Sequence, residues 1–327
     1  MVAKSVAAEF DNESSVPPVG DRGSSDVPAM PEIRGAVYID GSFYPPSEGR
    51  ISVFDHGLLY GDGVFEGIRF FRGRIFKLEQ HVDRMFRSAA GINLVPPLSP
   101  SEASTVILET AGRSGLREGY LRPIITRGVG DVGLDPRSAK RPSFIVICMM
   151  IKPYAGKAET GIRLVVSSYR RTPALCLNPN IKSLNYLNNV LAKSEANARG
   201  ADDAVLLDLD GYVTEATGEN LFVVRQGVLY APPTASNLEG VTRETIIELA
   251  SGHVPFREER FALDFLEEAD EVFLTGTAAG VLPVIAIEGK SVGEGRPGPI
   301  TRELQRRYTE RVESEGTPIP YDTTAIQ

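Results

Sequence analysis

Leu78, Val82, Met85 and Ala89 recur at helical spacing, so a helix is expected over about 78–90. Ser99-Pro100-Ser101-Glu102 opens a second one as a capping box with proline in the first turn, and it runs to about Ala111. Leu187, Val190 and Leu191 share one face of a third helix starting near Tyr186, and small Ser194 continues that face. The spacing predicts that this face packs against a core. Gly240-Val241-Thr242-Arg243 leads into Ile246, Ile247, Leu249 and Ala250, a fourth helix, and a last one covers about Thr301 to Glu313.

Between these lie period-two and continuous apolar runs of strand length. Val37-Tyr38-Ile39 and Phe43-Tyr44 flank Asp40-Gly41 as a hairpin, and Arg69 to Phe76 repeats the pattern around Arg72-Gly73. Ile51 to Phe54 is expected as a short strand. Tyr120 to Arg127 alternates, placing Tyr120 and Arg122 on one face, and Ser143 to Met150 reads as a buried strand. After Ile162 to Ser167, the runs Ala204–Asp208, Tyr212–Glu215, Asn220–Val224 and Val228–Tyr230 form a meander with tight turns, and Glu271 to Leu274 is one more strand. With 327 residues the chain exceeds one small core. The expected division is a flexible tail over 1–34, a smaller α/β domain over 35–152, a linker over 153–160 and a larger domain over 161–327.

Composition narrows the function. Net charge is −8, with 42% hydrophobic and 24% charged residues, so a basic nucleic-acid surface is not expected. The apolar run Phe144 to Ile151 is too short to span a bilayer, and no membrane association is expected. The first residues lack a sustained apolar region of signal-peptide type, which points to a cytoplasmic protein. Cys148 and Cys176 both sit in apolar settings and are expected as buried thiols; with His56, His81 and His253 scattered, no metal site is expected.

Several residues carry chemistry. Lys182, between the extended Pro173–Pro179 run and a helix, is either a solvated loop cation or an amine available for nucleophilic work. Glu215 stands at a strand end before Ala216-Thr217-Gly218-Glu219. Arg84 lies beside an apolar stripe. The helix start at Val241 and Thr242 and the small-residue turn Thr275-Gly276-Thr277-Ala278-Ala279-Gly280 both offer backbone N–H groups to anions. A paired Tyr120 and Arg122 suits a carboxylate. Together these are the parts a pyridoxal phosphate site requires.

Tyr60-Gly61-Asp62-Gly63-Val64-Phe65-Glu66-Gly67-Ile68-Arg69, Tyr120-Leu121-Arg122-Pro123, Ile181-Lys182-Ser183-Leu184-Asn185-Tyr186-Leu187, Thr214-Glu215-Ala216-Thr217-Gly218-Glu219-Asn220, Gly240-Val241-Thr242-Arg243 and Gly276-Thr277-Ala278-Ala279 resemble the class IV aminotransferases, and most of all their branched-chain amino acid members. The resemblance spans about residues 35 to 315, with Gly280 where an acidic residue is expected. It implies a mixed α/β and α+β, two-domain enzyme of fold type IV (D-amino acid aminotransferase-like), with pyridoxal 5′-phosphate between the domains, as a homodimer or a multiple of dimers. It implies Lys182 as the Schiff-base lysine and Glu215 as partner of the pyridine nitrogen. Arg84, Val241, Thr242 and Thr277 would hold the phosphate, Leu238 the ring and Tyr186 its hydroxyl. Tyr120, Thr277 and Ala278 would take the substrate carboxylate. Tyr60, Phe65, Gly67 and Tyr186 would line the side-chain pocket, Arg122 would meet a distal carboxylate, and Leu134 would enter a neighbouring subunit's pocket. The implied substrates are leucine, isoleucine and valine with 2-oxoglutarate, exchanged for 2-oxo acids and glutamate. D-amino acid and (R)-amine aminotransferases, and aminodeoxychorismate lyase, share the fold and stay open as alternatives.

Overall fold

The computed structural model describes residues 34–151, 154 and 156–321. Apart from Arg34, the expected tail lies outside the described residues, as do 152, 153 and 155 around the expected linker. Residues 34–321 carry two sheets. The first runs, edge to edge, through Thr317–Pro318, Arg74–Ile75, Ile68–Phe71, Gly119–Thr126, Ser143–Met149, Gly35–Ile39 and Ser42–Tyr44, with Gly63–Phe65 joined to Gly119–Thr126. Helices Leu78–Gly91 and Pro100–Arg113 cover it, burying Val82, Met85, Ala89, Ala103, Ile107 and Ala111 against Ile68, Phe70, Leu121 and Val146. The second helix starts as expected, on the reciprocal Ser99–Glu102 capping box.

The second sheet runs through Val213–Ala216, Asp203–Leu207, Ile162–Arg170, Gly280–Ile287, Glu271–Gly276, Asn220–Arg225, Val228–Ala231 and Phe256–Glu258. Val213–Ala216 also pairs with Asn220–Arg225, which closes six strands into a ring. Closure removes two free edges. Val205, Leu207, Leu221, Leu274, Leu282 and Val284 fill one apolar core of this sheet, while Phe222 and Phe273 face helices Val241–Ala250 and Pro299–Ser314 across another. Ile162–Arg170 and Asp203–Leu207 are parallel, so the chain between them must cross over, and helix Leu187–Ala198 provides the crossover.

Three expectations are corrected here. Helix Leu187–Ala198 forms, but Leu187, Val190 and Leu191 face outward, 69%, 54% and 38% exposed, and Ser194 is exposed with them. Its inner face is Asn189, Ala192 and Ala196, because the backbone needs small residues to lie close to Val165 and Ala204. Ile51 to Phe54 is not a strand: it leads into a turn in which the Asp55 amide donates to the Ser52 carbonyl and Asp55 caps helix His56–Tyr60. Cys148 is buried, but Cys176 is exposed.

Glu271 anchors the last helix. Its buried carboxylate accepts hydrogen bonds from the Ile300 and Thr301 amides at 3.0 and 2.7 Å and from the Thr301 hydroxyl at 2.6 Å, supplying the cap that Gly298 lacks. Glu271→Ala leaves those donors buried without an acceptor. It should lower unfolding free energy by about 1–3 kcal/mol, read as a reduced urea midpoint at unchanged slope.

Candidate active site

Lys182 is fixed by the first sheet although it belongs to the crossover of the second. The Phe65 amide donates to the Lys182 carbonyl and the Leu184 amide to the Gly63 carbonyl, each at 2.9 Å, and Val64 bridges Ser183. The Lys182 amide donates to Ser88 Oγ at 3.1 Å, which adds helix Leu78–Gly91 to its support. The side chain therefore emerges in one direction. Its Nζ donates to Tyr186 Oη at 3.2 Å and stands 4.8 Å from the centre of the Phe65 ring. Phe65 and Tyr186 meet edge to face at 5.0 Å.

Lys182 lines a cleft together with Gly67, Arg84, Tyr120, Leu238, Val241, Thr242, Thr277 and Ala278. These come from a strand, a connecting loop and a helix of the first sheet's layer and from loops, a turn and a helix start around the second sheet. Gly67 must be glycine, since a Cβ there would overlap the Tyr120 hydroxyl. Arg122 donates to that hydroxyl at 2.9 Å and stacks on Phe65 with its guanidinium 4.5 Å from the ring centre, while its buried Nε has no partner. Glu215 is 6% exposed and tied to the cleft through Leu238: its carboxylate accepts from the Leu238 amide at 3.2 Å and from Arg171 Nε at 2.6 Å. Of the expected site residues, Phe65, Tyr186, Arg122 and Glu215 stand behind this lining, joined to it by the contacts just given, while Tyr60 and Leu134 lie outside it and Leu134 is 83% exposed.

Arg84 is buried and sits at the cleft's cationic end. Its Nε and Nη2 donate to Glu66 at 2.7 and 2.8 Å, and its Nη1 donates to the Glu239 carbonyl at 2.6 Å. Three of its five N–H donors are thereby used, leaving two. Glu66 is fully buried and also bonded to His81 Nδ1 at 2.8 Å. Burial by itself would raise the Glu66 carboxyl, but the Arg84 charge and hydrogen bonds, with His81, hold it well below the usual carboxylate range. Burial pushes His81 down, towards the neutral ring.

The opposite wall supplies amides. Helix Val241–Ala250 begins after Gly240 with no side-chain cap, so its first N–H groups are free for an anion. A Cβ at Gly240 would overlap Asn220 Oδ1, and Asn220 Nδ2 in turn donates to the Leu238 carbonyl at 2.8 Å. Thr275 lines the same cleft with a buried hydroxyl that has no hydrogen-bond partner. An amine, an uncapped helix start, an arginine with spare donors, an orphaned hydroxyl and a fixed carboxylate fit the pyridoxal phosphate expected from the sequence.

Glu66, Arg171 and Glu219 are not among the candidate residues the sequence singles out, and of Thr275 it offers only the backbone, not the hydroxyl. Glu66 carried a signal: a carboxylate between Phe65 and Gly67, inside an apolar run, requires a buried cation. The pairing of Arg171 with Glu215 spans two strands and left no local trace.

The amino-transferase class IV family matches residues 63–287. A protein of Methanocaldococcus jannaschii, provisionally named a branched-chain-amino-acid aminotransferase, is 46% identical over 83% of this chain and 94% of its own length. Among solved structures, the T.th. branched-chain amino acid aminotransferase with pyridoxamine 5′-phosphate is similar with a TM-score of 0.82 and 40% identity, over 86% of this chain and 94% of that one. The branched-chain aminotransferase of Thermoproteus uzoniensis with norvaline is similar with a TM-score of 0.82 and 36% identity, over 88% and 99%.

Glu66→Gln strands the Arg84 charge and should destabilise the protein by about 3–5 kcal/mol at neutral pH. The folded carboxyl lies below its unfolded value, so its contribution is complete above about pH 4.5 and fades as pH falls further. The deficit of the variant against wild type, followed by urea unfolding, should therefore shrink between neutral pH and about pH 3.

Proposed function

We infer the reaction from the premise that the chain belongs to the class IV aminotransferase family. It is a branched-chain-amino-acid aminotransferase that moves the amino group of leucine, isoleucine or valine to 2-oxoglutarate, with pyridoxal 5′-phosphate as cofactor. When bound, that cofactor supplies a sink for the electron pair left as the substrate Cα proton departs. The observation that carries the reading is the Lys182 amine, 3.2 Å from Tyr186 Oη, in a cleft that combines an uncapped helix start with the carboxylate-anchored Leu238.

We propose these roles. Lys182 would take the proton at substrate Cα and deliver it, on the same face, to the C4′ carbon of the bound cofactor, work for which a positioned amine is suited. Glu215, aimed by Arg171 and the Leu238 amide, partners the pyridine nitrogen. Leu238 packs on the ring, Tyr186 meets its hydroxyl, and Arg84 with Val241, Thr242 and Thr277 holds the phosphate. Tyr120 and the Thr277 and Ala278 amides seat the α-carboxylate. Phe65, Gly67 and Tyr186 line the side-chain pocket, whose aromatic and small residues suit an aliphatic chain.

The same pocket must take glutamate's distal carboxylate. The unpartnered Arg122 Nε, beside the Tyr120 hydroxyl and above Phe65, supports Arg122 as the group that meets it. We further propose that the enzyme acts in the cytoplasm as a homodimer. Leu58, Leu59, Leu134, Leu187 and Val190 are exposed, and apolar side chains left in water suit a subunit contact.

Titration of the cofactor-loaded protein with L-leucine should bleach its visible absorption band and release 4-methyl-2-oxopentanoate. A band that ignores L-leucine and fades with D-alanine would transfer the assignment to D-amino acids. Arg122→Ala should raise KM for glutamate about 10- to 100-fold while leaving that for leucine within a few-fold. Equal effects on both would remove Arg122 from this role.

A further inference from the structure

Glu219 lines the same cleft as Lys182, in the turn between strands Val213–Ala216 and Asn220–Arg225. Its stem lies against the anion-binding turn: a Cβ built on Gly276 would come 3.0 Å from Glu219 Cγ. Glu219 is partly exposed, and its carboxyl faces charged and polar neighbours. One oxygen accepts from the Gly218 amide at 3.2 Å, and the group meets Asp203 and Tyr154. Asp203 is fully buried. Its Oδ1 accepts from the Thr217 hydroxyl at 2.6 Å and the Ala204 amide at 2.8 Å, and its Oδ2 from the Tyr154 hydroxyl at 2.7 Å. Lys193 Nζ is 3.6 Å from Asp203 Oδ2 and donates to the Asp202 carbonyl.

Lys182 and Arg84 line the cleft together with Glu219, and the other groups near its carboxyl come from the elements packed against the turn. Asp203 comes from strand Asp203–Leu207, Lys193 from helix Leu187–Ala198, and Tyr154 from the segment before helix Lys157–Thr160. Beyond the turn, Arg69 of strand Ile68–Phe71 donates to the Ala278 carbonyl at 3.2 Å, and Lys157 pairs with Asp202 at 3.2 Å. Lys193 balances Asp203, so two facing carboxyls share one cation. The second carboxyl is accommodated only by holding a proton between them. An ionised Glu219 would put an unbalanced negative charge behind Gly276-Thr277-Ala278, where an anion has to bind.

We propose that Glu219 is a positioning residue which, in its protonated form hydrogen-bonded to Asp203, keeps the Gly276–Ala278 turn receptive to the substrate carboxylate, and whose ionisation weakens that binding. The inference rests on the substrate reading given above. Burial first, and then the Asp203 charge, push the Glu219 carboxyl up to about 8. The neutral form therefore prevails at neutral pH and is lost as pH rises through that value.

The test uses the cofactor-loaded protein and 4-methylpentanoate, a leucine analogue without an amine to titrate. Its Kd for wild type should rise about tenfold between about pH 7 and about pH 9.5. Glu219→Gln, held in the neutral form, should keep its affinity across that range. Asp203→Asn removes the charge that keeps Glu219 protonated and should move the wild-type midpoint to lower pH. A flat wild-type profile, an unchanged midpoint in Asp203→Asn, or the same rise in Glu219→Gln would each overturn the proposal. Failure of wild type to bind 4-methylpentanoate at any pH would overturn the substrate reading itself, and the inference with it.

Discussion

The buried Glu66–Arg84 pair is the constraint on which the cleft depends. Taking both charges out of water costs several kcal/mol each, so the pair contributes little net stability, but neither partner tolerates loss of the other. Glu66 follows the Gly63–Phe65 strand that holds the Lys182 carbonyl. Arg84 stands on the helix whose Ser88 receives the Lys182 amide, and it reaches the Glu239 carbonyl just before the uncapped helix start. One ion pair thus sets the spacing between the amine end of the cleft and its anion end. His81, kept towards its neutral form by burial, adds a further hydrogen bond to Glu66 Oε2, the oxygen that also accepts from Arg84 Nη2, without adding charge.

A second dependence runs through backbone rather than charge. The Lys182 segment belongs by sequence to the crossover between two parallel strands of the closed sheet, yet its peptide groups bond to Gly63 and Phe65 of the other sheet. A crossover loop has free backbone groups to satisfy, and the short strand at 63–65 offers them an edge. The Lys182 amine is therefore positioned by hydrogen bonds formed between the two sheets.

How much of this was legible in the sequence depended on whether the controlling interactions were local. The Leu78–Gly91 helix, the Ser99–Glu102 capping box and the Asp40-Gly41 and Arg72-Gly73 turns follow from neighbouring residues, and all form as read. Leu187, Val190 and Leu191 misled because apolar spacing reports a shared face, not what covers it; Ala192 and Ala196 decide which side meets the sheet. Gly280–Ile287, a central strand of the closed sheet, is not among the strands expected from the sequence; it starts inside the small-residue turn and carries Pro283, which weakens a strand pattern. In the cleft, the lysine, the helix start and the small-residue turn were visible as types. Glu66 with Arg84, Arg171 with Glu215 and Asp203 with Glu219 were not, since each pair joins distant positions.

The strand Thr317–Pro318 closes against Arg74–Ile75, and the residues after it lock in place: Ile319 enters the first core and the Tyr321 hydroxyl donates to the Leu116 carbonyl at 2.7 Å under the Arg117 guanidinium. During synthesis that edge must wait until more than two hundred further residues have left the ribosome. The first sheet cannot finish as an independent early folding unit. Its open edge at Arg74–Ile75 stays a template for foreign strands until the end of the chain arrives, so the emerging polypeptide is most vulnerable to aggregation while the second sheet is still being translated.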